Sequence, residues 1–99
     1  MGITIDHERG EVRAAGKQVH LAPKEYQILR ALKKAEGRIV SREKFLEVVW
    51  GYDRHTRNAI DRKTVDQHIR RLRLQIQSVS AASSRLVVTV PKRGYKLVR

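Results

Sequence analysis

Lys63, Thr64, Gln67, Arg70 and Arg71 recur at intervals of three and four along one stretch of the chain. A helix advances about 100° per residue, so these five share one face of it. Arg can form paired hydrogen bonds with guanine, and Gln can do so with adenine. Thr can bind phosphate or meet a thymine methyl, and Lys neutralises phosphate as a point charge. Val65, Ile69, Leu72 and Ile76 fall on the opposite stripe, which must face a core. The chemistry on offer is recognition of a polyanion that carries hydrogen-bonding edges. The bland alternative is a solvated charged face. The sign balance weighs against it, because Asp66 is the only acid in this helix and can pair with Arg70 one turn on. His68 borders the apolar stripe and reads as a packing or phosphate-contacting residue. Leu74 lies on the outward face and is expected to pack under the following connection.

The rest of the composition agrees with a polyanion partner. Among 99 residues, 22 Lys and Arg stand against 10 acids, a formal charge of +12. So large an excess repels itself in the folded state and suits nucleic acid first, an anionic membrane surface second. No apolar run is long enough for a membrane span, and the N-terminus is no signal peptide. The chain has no Cys, which excludes disulfides and thiolate metal sites and fits a cytoplasmic location. The four His residues lack metal-ligand spacing, and there is neither a phosphate-binding Gly loop nor a nucleophile elbow. Enzymatic activity and a cofactor are therefore not expected.

The elements that must position the basic face can be read in order. Ile3–Ile5, Val12–Ala14 and Lys17–Leu21 alternate with period two, as short antiparallel strands do. Pro23 opens a first helix whose stripe is Tyr26, Ile28, Leu29, Leu32 and Ala35, with Gly37 as its stop. Ala22 offers no capping oxygen to it. Ser41 is the expected N-cap of a second helix, with Val40 and Phe45 as a hydrophobic staple and Gly51 as its end. Residues 52–63 are polar and basic and read as a loop; a third helix spans about 64–77. Serines and alanines over 78–84 read as a flexible connection. Leu86–Val90 and Tyr95–Val98 form a hairpin about a basic turn at 91–94. The whole is read as one α+β domain: an N-terminal antiparallel sheet, three helices and a C-terminal hairpin. A basic helix beside a basic hairpin suits a major-groove reader with a wing.

The segments Leu21–Tyr26, Gly37–Glu43, Val49–Tyr52, Thr64–Arg73 and Arg93–Leu97 together resemble the effector domain of OmpR/PhoB-type bacterial response regulators. The resemblance covers almost the whole chain. It implies a winged helix-turn-helix with a four-stranded N-terminal sheet. It implies transcription regulation in a two-component system, by a monomer that binds double-stranded DNA in tandem, head to tail. By it, Lys63, Thr64, Gln67, Arg70, Arg71 and Arg73 face DNA, Trp50 and His68 touch phosphate, and Thr89 contacts the backbone at the start of the wing. It implies a contact with RNA polymerase through the 52–63 loop, here longer and more basic than usual. Ala22 stands where the family has a capping Thr. Pro91 stands where the wing often has an Arg, so Arg93 is expected to enter the minor groove, with Lys92 as a looser phosphate partner. The family's receiver domain is not within this sequence.

Two rival readings remain at this point. Single-strand RNA readers display aromatics on a sheet, whereas Tyr26, Phe45 and Trp50 fall in helical stripes here. A winged helix that binds an acidic protein would use the same charge.

Overall fold

The computed structural model describes residues 2–51 and 62–98. Strands β1 (Ile3–Asp6), β2 (Glu11–Ala14) and β3 (Lys17–Val19) form an antiparallel sheet in that order. Ile3 pairs with Ala14 and Val12 with Val19, so the alternation places all four on the core side. Ala15 and Gly16, both with positive φ, make the two-residue turn whose twist matches the strands. The described residues thus give three strands, not the four that the resemblance implied. The third ends at Val19, three residues before Ala22, the N-cap of the first helix.

Helix α1 (Pro23–Lys34) begins without a side-chain cap, as Ala22 dictates. It stops before Gly37: Ala35 is the C-cap, and Glu36 and Gly37 both turn left-handed after it. Helix α2 (Arg42–Trp50) is capped by Ser41, whose hydroxyl accepts from the Lys44 N–H at 3.1 Å. It ends at Gly51 in the left-handed conformation. Helix α3 (Arg62–Gln77) starts two residues earlier than expected and buries Val65, Ile69, Leu72 and Ile76 completely.

The connection after α3 is not the flexible stretch expected from its serines. Ser80 caps one helical turn, α4 (Ala81–Ser84), by accepting from the Ser83 N–H at 3.2 Å. The Ser80 N–H donates to the Ile76 carbonyl at 2.8 Å, which carries the helical bonding pattern up to the cap of α4. Leu74 is therefore left 53 % exposed rather than covered.

Strands β4 (Val87–Val90) and β5 (Gly94–Leu97) form the C-terminal hairpin. Near its turn, β5 is tied to the segment joining α1 and α2. The Val40 N–H donates to the Tyr95 carbonyl at 2.8 Å, and the Tyr95 N–H donates to the Val40 carbonyl at 3.0 Å. Phe45 lies at the centre of one core shared by the sheet, the helices and the hairpin, with its ring 6.3 Å from that of Tyr95.

Candidate nucleic-acid interface

Burying Val65, Ile69, Leu72 and Ile76 turns the other side of α3 outward. Lys63, Gln67, Arg70 and Arg71 are exposed there, and Thr64 is half-buried beside them. The hairpin turn lies at the edge of the same structure. Pro91, Lys92 and Arg93 are exposed, and the Arg93 N–H closes the turn on the Val90 carbonyl at 3.0 Å. Lys92 takes the left-handed position, at φ 64°. Lys92 and Arg93 also line a groove shared with Arg30, Lys34 and Lys44 on α1 and α2, which extends the basic surface.

Asp66 does not pair with Arg70. It stays partly exposed on the flank of α3, where two donors from other elements reach it. The Arg42 Nε donates to its Oδ1 at 2.8 Å, and the Tyr95 hydroxyl donates to the same oxygen at 2.5 Å. A carboxylate gains more from two fixed donors than from one mobile surface cation. The bond to Asp66 raises the Arg42 guanidinium above its ordinary range. Burial, then Asp66, raises the Tyr95 phenol above its own. The outward face of α3 is consequently left without an acid.

Arg73 sits between the helix and the hairpin. Its Nε donates to the Val87 carbonyl at 3.0 Å, and an Nη donates to the Thr89 hydroxyl at 2.6 Å. Its guanidinium lies 5.5 Å from the Tyr95 ring centroid, and that of Arg42 lies 5.1 Å from it. Arg73 and Thr89 are thus brought together at the junction of α3 and the wing.

Trp50 and His68 form a second corner, with ring centroids 5.2 Å apart. Lys24 covers the Trp50 ring at 5.7 Å and donates to the Val49 carbonyl at 3.1 Å. Beneath them Glu25 is 3 % exposed. Its Oε1 lies 3.4 Å from His68 Nδ1, close enough for attraction but not aligned as a hydrogen bond. Sequence reasoning missed Glu25, although it shares the spacing of Ile28, Leu29 and Leu32. It missed Arg42 and Tyr95 too, for which no local pattern gives a signal.

Arg62, expected in a loop, begins α3 and pairs with Glu43. Arg54, His55 and Arg57, with most of the 52–63 loop, lie outside the described residues. Among the described residues no helix is long and apolar enough to cross a membrane.

Residues 16–97 match the family described as "Transcriptional regulatory protein, C terminal". The chain belongs to this family. It is an OmpR/PhoB-type effector domain with a winged-helix fold, a class of transcription-regulator domains rather than of enzymes. The effector domain is 40 % identical over 94 residues to the transcriptional regulatory protein ResD of Bacillus subtilis, a match covering 95 % of this chain and 38 % of ResD. It thus spans about two fifths of that relative's length. It is also similar to the Klebsiella pneumoniae RstA DNA-binding domain solved in complex with the RstA box. That match has a TM-score of 0.78 and 29 % identity, over 97 % of this chain and 90 % of the other. DrrB, an OmpR/PhoB homologue of Thermotoga maritima, matches with a TM-score of 0.78 and 31 % identity, over 98 % of this chain and 42 % of its own.

Proposed function

We propose that this effector domain binds double-stranded DNA sequence-specifically and so regulates transcription, as the output part of a two-component response regulator in the cytoplasm. The observation that carries this reading is the outward face of α3: Gln67, Arg70 and Arg71 exposed together, with the helix's single acid bound on its flank by Arg42 and Tyr95. Membership of the family and the RstA complex with its box support it. In this reading α3, about residues 64–77, enters the major groove. Gln67, Arg70 and Arg71 meet base edges, and Lys63 and Thr64 meet phosphates. Trp50 and His68 hold a further phosphate. The turn at 91–94 lies over the flanking minor groove, where Arg93 enters an A·T-rich stretch and Lys92 touches the backbone. Arg73 and Thr89, bonded to each other, hold the wing against α3 and offer their remaining polar atoms to the backbone.

Aromatic stacking on single-stranded RNA is disfavoured, since Phe45 and Tyr95 are buried. The domain acts as a monomer that pairs head to tail on repeats about 10 base pairs apart, one helical turn of DNA. An RNA polymerase contact through residues 52–63 completes the picture. Selection of bound duplexes from a random pool tests the reading. A dominant motif in direct repeat is expected; palindromic motifs refute the tandem arrangement, and absence of any motif refutes sequence-specific binding. With about six phosphates neutralised, log affinity should fall against log salt with a slope near −5.

A further inference from the structure

One carboxylate, Asp66 on α3, receives a hydrogen bond from the first residue of α2 and another from β5 of the wing, two residues from Arg93 in the turn. The wing residue is Tyr95. Its backbone bonds the α1–α2 turn at Val40, and its ring lies near the guanidinium groups of Arg42 and Arg73. Arg73 in turn bonds Val87 and Thr89 on the opposite wing strand. Three elements therefore meet at Tyr95, and its hydroxyl is a polar tie from β5 to the helix proposed to read bases.

We infer that Asp66 and Tyr95 are positioning residues for DNA reading, fixing the wing at one offset from α3 so that a single register of major-groove and minor-groove contacts is accepted. This rests on the wing reading above. Neither residue needs to touch DNA. Arg73 ties β4 to α3 and the Val40 bridge ties β5 to the α1–α2 turn. Without the Tyr95 hydroxyl β5 keeps no side-chain bond of its own to α3, and Arg93, two residues before Tyr95, can shift along the flank. A short bond to a shared carboxylate removes that freedom before binding, so less ordering is left to oppose the minor-groove contact.

The test uses Tyr95→Phe, which keeps the ring and removes the hydroxyl. The probes are duplexes from the random-pool selection, with the core unchanged and the wing-side flank made A·T-rich or G·C-rich. Wild type should prefer the A·T flank. Tyr95→Phe should hold its affinity for the G·C-flanked duplex within about twofold while its flank preference collapses toward one. Amide exchange in the free protein supplies the second readout. Losing a hydrogen bond to a carboxylate should speed exchange at Val40 and at position 95 by about tenfold or more, with Leu29 in α1 unchanged. Asp66→Ala, which removes the acceptor, should behave alike and serves if Tyr95→Phe does not fold.

Collapse of flank preference together with local loosening supports the inference. A flank preference that survives loss of the hydroxyl overturns it, as does faster exchange at all amides in parallel, which marks general stability only. A wild type without flank preference defeats the wing reading and takes this inference with it. A wild type that binds no duplex defeats the proposed function itself.

Discussion

Replacing Gly94 with Ala should detach the wing from the body of the domain. Gly94 has φ 139°, a conformation that side-chain-bearing residues rarely adopt. A Cβ there would overlap the Val40 carbonyl oxygen and lie 2.9 Å from Ser41 Cα, both backbone atoms that no rotamer change can move aside. The strain of the φ alone is worth about 1–3 kcal/mol. If the chain relieves the clash by moving β5, the two Val40–Tyr95 hydrogen bonds go as well, at about 0.5–1.5 kcal/mol each. The combined loss is about 2–6 kcal/mol, a large part of the stability of a domain this size. Urea unfolding should read that loss directly, and Tm should drop by at least about 8 °C. Gly10→Ala is the control. Gly10 is also left-handed, at φ 66°, but a Cβ there meets nothing within 4 Å; its cost should stay near the φ strain, about 1 kcal/mol. A Gly94→Ala loss no larger than that of Gly10→Ala would refute the close-approach argument.

Other outcomes follow from the same geometry. Arg71→Ala should cost about 1–3 kcal/mol of discrimination between selected and random duplexes, whereas Lys63→Ala should weaken both alike and flatten the salt slope by about one unit; equal losses on both duplexes for Arg71→Ala would count against base reading there. Ser41→Ala removes the oxygen that accepts from Lys44 and should lower unfolding free energy by about 1 kcal/mol, with urea midpoints as the measure. Stability should also respond to alkali through Tyr95. Its phenol is raised in the folded state, so the folded protein holds that proton more tightly than the unfolded chain does. The contribution is complete below the ordinary tyrosine range near pH 10 and declines as pH rises through the raised folded value. Wild type should therefore lose more stability between pH 9 and 11 than Tyr95→Phe does, and equal losses would contradict the buried phenol.

Periodicity made the buried stripe of α3 legible, because Val65, Ile69, Leu72 and Ile76 repeat at helical spacing and all four are fully buried. The Ser41 cap was legible for a local reason: an N-cap and the amide it binds are three residues apart. Asp66 was misjudged because helix-surface rules consider partners on the same helix, and its partners come from α2 and β5. Gly94 was read as the last residue of the turn at 91–94. The turn is closed before it, at Arg93, and the glycine serves instead to let Val40 approach. Ser80 was read as part of a flexible stretch, since serine favours caps and loops alike and the deciding contact is its bond to Ser83. Contacts between distant segments leave no local spacing to read, so the junction of α2, α3 and the wing emerged only from the fold.

The Val40–Tyr95 bridge also bears on the order in which the chain folds. A two-stranded hairpin alone is marginal in water, and β4–β5 gains its third backbone neighbour from a segment much earlier in the sequence. Closing so long a loop carries an entropic cost before any contact repays it. The helices, whose contacts are more local, can assemble first, and the hairpin docks on a surface already made. Substitutions at the docking line then weigh mainly on the unfolding rate and little on the folding rate. The part of the domain proposed to enter the minor groove is thus the last to arrive and the first to leave.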